Sequence, residues 1–204
     1  TRFQVGDLAA GFAKADAVLA REFKTHTVHQ GYIEPHTATA LARSDGHVTV
    51  WTSTQGAFPT REQIATVLGK ELSRIRVIPM EIGGGFGGKI PVYLEPLAVL
   101  LSERTGHPVQ LAMSRADVFQ STGPASATAS KVKLGFKKDG TLVAAQVWMA
   151  YEAGAFPGTW GAAGAGCALA PYRIPSLLID VYDVLTNTPK VAAYRAPSSP
   201  QALW

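Results

Sequence analysis

A chain of 204 residues that is 47% hydrophobic and 17% charged can bury a sizeable core in one or two domains. Its net charge of +4 is spread thinly, with no basic block beyond Lys137-Lys138, which argues against nucleic acid as a partner. No apolar run approaches the roughly 20 residues of a membrane span, and the single Cys167 excludes an internal disulfide or a cysteine-cluster metal site within this chain.

The N-terminus lacks the basic and apolar regions of a signal peptide. Nothing in the sequence fixes the compartment, and cytoplasmic is a default expectation. The chain starts without Met and closes on Ala-Leu-Trp204, an apolar end that reads as cut. In chain order, Asp7 is placed to N-cap a short helix, Leu8 to Lys14. Val18 to Val28 reads as a strand with Phe23 inward. His26, His29 and His36 follow one another closely, but Gly31 and Pro35 break any helical spacing, and ordinary hydrogen-bonded histidines are expected rather than a metal site. Glu34, before Pro35, is read as a structural carboxylate. Thr37 to Arg43 and His47 to Ser53 flank the Asp-Gly turn of a hairpin, and the second strand delivers Gln55 at its end.

Thr60 to Leu72 has a helical apolar stripe (Ile64, Val67, Leu68, Leu72), with Thr60-x-x-Gln63 as a capping box. It feeds an apolar, β-branched run, Ile75 to Ile82, read as a buried strand. A second helix is expected from about Val92 to Thr105, with Leu97, Leu100 and Leu101 inward and Gly106 closing it. Val109 to Met113 reads as a strand, and Ser114 as the cap of a further helical turn. Ser126 to Lys137 and Leu142 to Tyr151 read as an antiparallel pair. Gly154 to Gly166, rich in Gly and Ala, is expected to line a cavity or an interface, and Leu177 to Leu185 is the last long strand. The fold class that follows is α+β, with mixed and antiparallel sheets carrying two or three packed helices.

Between the first two long helices lies Gly83-Gly-Gly-Phe-Gly-Gly-Lys89, five glycines in six residues. Ordering so many glycines carries a large backbone entropy cost. The cost is sensible where main chain must come close to a flat or anionic group, with bare N–H groups pointing at it. The loop satisfies a dinucleotide fingerprint and most of a P-loop. The P-loop reading fails at Ile90, where Ser or Thr would hold magnesium, and the dinucleotide reading lacks its downstream acidic strand end. A purely structural turn remains a third possibility.

The loop also resembles the one over the molybdenum centre in the large subunit of the xanthine dehydrogenase and aldehyde oxidase family of molybdenum hydroxylases. Four other stretches agree in order and spacing: Gln30-Gly-Tyr-Ile-Glu-Pro-His36, Trp51-Thr-Ser-Thr-Gln55, Ala170-Pro-Tyr-Arg-Ile-Pro175 and Ala193-Tyr-Arg-Ala-Pro-Ser-Ser-Pro-Gln201. The resemblance implies the first half of the cofactor-binding region, with residues 1–20 as the end of a preceding connection and 21–204 as the first molybdopterin-binding domain, cut short at its C-terminus. The reaction implied is oxidation of an aldehyde or N-heteroaromatic compound with water as the oxygen source. The cofactor implied is molybdenum–molybdopterin, with or without a cytosine nucleotide, assisted by iron–sulfur clusters and FAD on partner subunits or domains. The remaining half of the molybdenum subunit is a further implied partner.

Residue by residue, the resemblance makes Gln55 the side-chain donor to an oxygen ligand of molybdenum. Gly85, Phe86 and Gly87 become the backbone that meets the cofactor, Phe86 and Gly87 through their N–H groups, and Arg195 a cofactor-pocket residue. Lys89 is expected to be a surface cation, and the start of the helix after the loop to lend partial positive charge to an anionic cofactor. No residue here is expected to ligate the metal directly, and the family's general-base glutamate is expected outside this chain, which is therefore expected to be inactive alone. Departures limit the substrate: Ile90 stands where xanthine dehydrogenases carry a binding glutamate, Gly, Ala and Cys167 replace their arginine before Pro171, and Pro197 replaces their ring-clamping aromatic. Ala196 replaces the cysteine of copper-containing carbon monoxide dehydrogenases. The competing class is a non-enzymatic module that grips a phosphate ligand or a subunit with the glycine loop.

Overall fold

The computed structural model describes residues 1–203. In chain order they form β1 (Arg2–Val5), α1 (Leu8–Ala13), β2 (Ala17–Thr25), β3 (Thr37–Ala42), β4 (Val48–Thr52), α2 (Ala57–Leu68), β5 (Ile75–Pro79) and α3 (Glu95–Thr105). Then follow β6 (Val109–Ala112), α4 (Arg115–Ser121), β7 (Thr128–Phe136), β8 (Leu142–Gly154), α5 (Gly161–Ala168), β9 (Leu177–Leu185) and α6 (Ser199–Leu203). The chain divides into two compact units: one of Thr1–Val28, Pro124–Val191 and Ala196–Trp204, the other of His29–Gly123 and Ala192–Arg195.

The first unit is a five-stranded mixed sheet, ordered β1-β9-β8-β7-β2. The expected hairpin of β7 and β8 forms, and β9 joins β8 in parallel. β1 pairs with β9, and α1 is N-capped by Asp7, whose carboxylate accepts from the N–H of Ala10 at 3.0 Å. Residues 1–20 thus carry β1, α1 and the start of β2 within this unit. Strand β2 is shorter than expected and is an edge, and Phe23 stays 36% exposed instead of turning inward. The core gathers Val147, Met149, Tyr151, Ile179 and Val181 against Ala165 of α5. The second part of the Gly/Ala-rich stretch, from Gly161, is a close-packed helix: a Cβ at Gly161 would lie 2.9 Å from both Tyr151 and Val181, and one at Gly164 2.5 Å from the Tyr151 hydroxyl, while Phe156 and Trp160 in its first part are exposed.

The second unit carries the functional motifs. Its four-stranded sheet runs β5-β4-β3-β6, with the β3–β4 hairpin antiparallel and β5 parallel to β4. α2 and α3 bury Ile64, Ala65, Ala98 and Val99 against Ala40, Val48, Val50 and Ile75. Each fully buried Val or Ile side chain there contributes about 1.5–3 kcal/mol. Helix α2 begins three residues earlier than its sequence signal, at Ala57 with Gly56 as its N-cap, so the Thr60–Gln63 capping box does not form. Thr60 is buried and its hydroxyl meets that of Thr54 at 2.8 Å, while Gln63 bonds Ile90 and Val92.

Two burial expectations reverse. β5 is an edge strand, of which only Ile75 is buried. On α3 the face toward the sheet is Ala98, Val99 and Ser102, while Leu97 and Leu100 are 49% and 42% exposed. Small residues let the helix sit close to the strands, and Ser102 uses that closeness to accept the Ala42 N–H at 2.9 Å. The Ser114 cap of α4 forms as a reciprocal box with Asp117.

Candidate functional site

β4 ends at Thr52, and the next three residues carry the chain to Gln55. β5 lies alongside in parallel, and the Met80 N–H bonds Thr52 before the chain turns into the glycines. Parallel pairing thus delivers Gln55 and the loop to the same end of the sheet. The Gln55 backbone N–H donates to the Lys89 carbonyl at 3.1 Å. Its side-chain Oε1 accepts two backbone N–H groups, from Gly87 at 2.7 Å and Lys89 at 3.2 Å. An amide oxygen held by two donors fixes which end of the side chain is which. The Nε2 group is left as the free donor, with no acceptor among the described residues, and Gln55 itself is exposed.

The glycines make room mainly for the protein. A Cβ at Gly83 would lie 2.5 Å from the Glu34 Cβ, one at Gly85 2.6 Å from the Gln55 Oε1, and one at Gly88 2.7 Å from the Tyr32 ring. Gly87 has φ +102°, and its Cβ would lie 2.5 Å from the Ala193 carbonyl oxygen. The sequence reading had these missing side chains clear a path for a cofactor; the space they leave is filled by neighbouring protein atoms. The Gly87 N–H, expected to face the cofactor, is instead committed to Gln55. The N–H groups of Gly84, Gly85 and Phe86 have no acceptor among the described residues, and Gly85 is buried.

Arg195 joins the same cluster. Its backbone N–H donates to the Phe86 carbonyl at 2.8 Å. Phe86 has φ +53° and Arg195 φ +21°, a region that side-chain-bearing residues enter rarely and at some cost. Two such residues joined by one hydrogen bond hold both side chains outward, Phe86 49% exposed and Arg195 exposed. The Arg195 guanidinium has no carboxylate partner among the described residues, so it is not a strand-end salt bridge. Gln55, Gly85, Phe86, Gly87 and Arg195, some 140 positions apart at the extremes, are therefore one contiguous site.

Beneath the loop lies a polar layer that sequence reasoning missed. Lys89 is not a surface cation: its side chain is 0% exposed and its Nζ lies 2.7 Å from Glu34 Oε2. The same Oε2 accepts the Gly83 N–H at 2.6 Å, as the structural reading of Glu34 requires. Burial pushes the Glu34 carboxyl up, but the Lys89 ammonium and the Gly83 N–H together hold it below the usual carboxylate range. His36 is buried and meets the Tyr32 hydroxyl at 2.6 Å, and His29 meets Thr122 at 2.8 Å, so both are hydrogen-bonded histidines. Burial, then the neighbouring Lys89 and His29, push His36 down to about 4. Gln30, 5% exposed, donates to the Gly123 and Ala193 carbonyls and pins the strip that carries Arg195. The motif Gln30 to His36 was visible in sequence, but nothing in it signalled that it would form the floor of the loop. At the start of α3, Glu95 in the first turn takes the Tyr93 N–H at 2.9 Å and the Thr52 hydroxyl at 2.8 Å.

With this geometry in place, comparison with known proteins is decisive. A family model described as the molybdopterin cofactor-binding domain matches residues 1–204. The chain belongs to this family. Among curated relatives, the nicotinate dehydrogenase large molybdopterin subunit of Eubacterium barkeri is 32% identical over 203 residues, covering 98% of this chain and 48% of that one. The xanthine dehydrogenase/oxidase of Mus musculus is 34% identical over 149 residues, 72% of this chain and 11% of that one. The aldehyde oxidoreductase structure from Desulfovibrio gigas superposes with a TM-score of 0.91 at 28% identity, over 99% of this chain and 23% of that one. The molybdopterin cofactor-binding domain described here thus spans about half, or less, of the length of the proteins it matches. Its mixed α and β architecture is that of molybdenum hydroxylases.

The residues present fit an oxygen-rich, anionic cofactor. The free Gln55 amide, the three unpartnered N–H groups of Gly84 to Phe86 and the Arg195 guanidinium are all donors, and they sit on one cluster of loops. No helix among the described residues is long and apolar enough to cross a membrane.

Proposed function

We propose that this domain holds part of a molybdenum–molybdopterin cofactor at the glycine loop, within a hydroxylase that oxidises an aldehyde or an N-heteroaromatic compound. The observation that carries the proposal is the tethered Gln55 amide, whose oxygen is occupied by Gly87 and Lys89 and whose NH2 is left to donate. A bound molybdenum cofactor supplies the two-electron oxidation that places oxygen from water on a carbon centre. The chain's own contribution is orientation and charge. Gln55 offers a neutral donor that cannot compete as a ligand, Gly85 and Phe86 offer backbone N–H groups, and Arg195 offers a cation for an anionic part of the cofactor.

A general base for such a reaction works best with a pKa near neutrality. The chain's carboxylates with perturbed pKa values are all shifted the other way, Glu34 and Glu152 among them. That supports a base supplied from outside these residues, and a chain inactive by itself. The chain's span of 48% of the nicotinate dehydrogenase subunit it matches supports a partner in the remaining half of a molybdenum subunit, with iron–sulfur and flavin groups to carry electrons away. The cofactor's nucleotide form, with or without cytosine, belongs to contacts beyond the loop. Ile90, Pro197 and Ala196 favour an aldehyde or N-heteroaromatic substrate over xanthine or carbon monoxide.

The test is turnover of a panel of aldehydes and N-heteroaromatic acids by the assembled protein in isotopically labelled water. Label in the hydroxylated product, together with reduction of an electron acceptor, is the expected result. A molybdenum-replete assembly that oxidises none of them, or a product free of label, overturns the proposal.

A further inference from the structure

Lys89, fully buried, and Glu34, whose side chain is one third exposed, are the charged pair that the proposed chemistry leaves without a task. Burying an ammonium is costly unless it is paired and hydrogen-bonded, and replacing such a pair by apolar groups is often neutral or stabilising. Stability alone is therefore a poor reason for the pair, and its connections suggest another. Glu34 grips the start of the loop twice, through its N–H to the Gly83 carbonyl at 3.1 Å and through Oε2 to the Gly83 N–H at 2.6 Å. The same Oε2 grips the end of the loop through Lys89 Nζ at 2.7 Å. Lys89 in turn holds Gln55 by its backbone, accepting the Gln55 N–H at 3.1 Å and donating its own N–H to Oε1 at 3.2 Å. Tyr32 closes the underside, with Lys89 Nζ 5.1 Å from its ring centroid.

We propose that Glu34 and Lys89 form a clamp that sets the curvature of the glycine loop and, through it, the direction in which the Gln55 amide points. One carboxylate oxygen spans the seven-residue stretch Gly83 to Lys89, which its five glycines would otherwise leave free to sample many shapes. Fixing that stretch places Lys89 N–H and Gly87 N–H side by side on Gln55 Oε1. Glu34 and Lys89 are thus positioning residues: neither needs to touch the cofactor. The consequence for cofactor binding rests on the molybdopterin reading above, but the clamp itself does not.

The test separates the two. Amide hydrogen exchange at Gly83 and Gly87 is measured on the assembled protein from cells blocked in molybdopterin synthesis, for wild type, Lys89→Met and Glu34→Asp. Val50→Ala, in the core of the same unit, is the control for a general loss of stability. The informative site is Gly87, whose N–H bonds Gln55 and neither member of the clamp. Lys89→Met is expected to speed Gly87 exchange roughly tenfold more than Val50→Ala does at matched stability. Glu34→Asp keeps the charge but is one methylene too short to reach both loop ends; it is expected to do the same to a smaller degree, and it serves if Lys89→Met does not fold. Gly87 exchange that rises no more than in Val50→Ala overturns the clamp and leaves the pair a mere stability contact. Faster exchange at Gly87 with unchanged molybdenum per folded chain in cofactor-replete protein upholds the clamp and counts against the cofactor reading instead.

Discussion

The side-chain oxygen of Gln55 lies 2.7 Å from the Gly87 nitrogen, across 32 positions of sequence. Gly87 gives its N–H to Gln55, and Gln55 passes a donor outward in exchange. A backbone donor of fixed direction becomes a side-chain donor at the loop rim. This makes Gln55→Glu more informative than Gln55→Ala. The glutamate keeps an oxygen for Gly87 and Lys89 but replaces the outward NH2 by a second acceptor. The melting temperature of Gln55→Glu should stay near wild type, while the rate of the assembled enzyme falls by about 3 kcal/mol in the barrier, as for loss of one preorganised oxyanion donor. Rates and the molybdenum spectrum check it; a wild-type rate with an unchanged spectrum places Gln55 away from the centre.

Gly87→Ala should destabilise the protein through its own architecture. At φ +102° any side chain is strained, and the new methyl meets the Ala193 carbonyl. Gly46 in the hairpin turn also has positive φ, at +85°, but nothing within 4 Å of its Cβ direction. Gly46→Ala should therefore cost roughly 1 kcal/mol from backbone strain, and Gly87→Ala clearly more. Denaturant melts of the two variants side by side decide it. Equal losses would mean that Ala193 yields freely.

Acidification should weaken the fold before carboxylates titrate. The His36 imidazole takes a proton near 6.5 when unfolded but only near 4 when buried. Between those values the unfolded chain binds more protons, so stability falls as pH falls, by about 3 kcal/mol across the window. The Glu34 contribution behaves in the same sense but at lower pH. It is intact above the ordinary carboxylate range and lost as pH drops through its depressed folded value. Denaturant melts from pH 7 to 4 should show the loss in wild type and a flatter profile in His36→Gln.

The two faces of α3 should respond unequally. Val99 is fully buried, and Val99→Ala should cost about 2 kcal/mol. Leu97, half exposed, should tolerate Gln within about 0.5 kcal/mol. A reversed order in thermal melts would contradict the packing of this helix.

Much of this was legible from sequence because it rests on local chemistry. The Asp7 and Ser114 caps, the Asp-Gly hairpin turn and the alternation of β7 each depend on residues a few positions apart. The family motifs also led Gln55, the glycine loop and Arg195 to be expected together, and the structure brings them to one cluster of loops. What stayed hidden depends on partners far along the chain. Lys89 looked like a surface cation because its partner, Glu34, is 55 positions away. The inner face of α3 was misread because leucines outweigh Ala98 and Ser102 in any hydrophobicity pattern, although close approach to a sheet favours the smaller residues. The glycines were read as space for a ligand, and only their neighbours (Glu34, Tyr32, Gln55 and Ala193) show what fills it.

Molybdenum and pterin content per folded chain, measured on the assembled protein as purified, tests the central claim most directly. The account predicts molybdenum and pterin together in near-equal amounts, falling sharply in Gln55→Glu or in an Arg195→Ala variant whose melting temperature is unchanged. Protein that carries neither, or that instead retains a nucleoside triphosphate with magnesium, would contradict it.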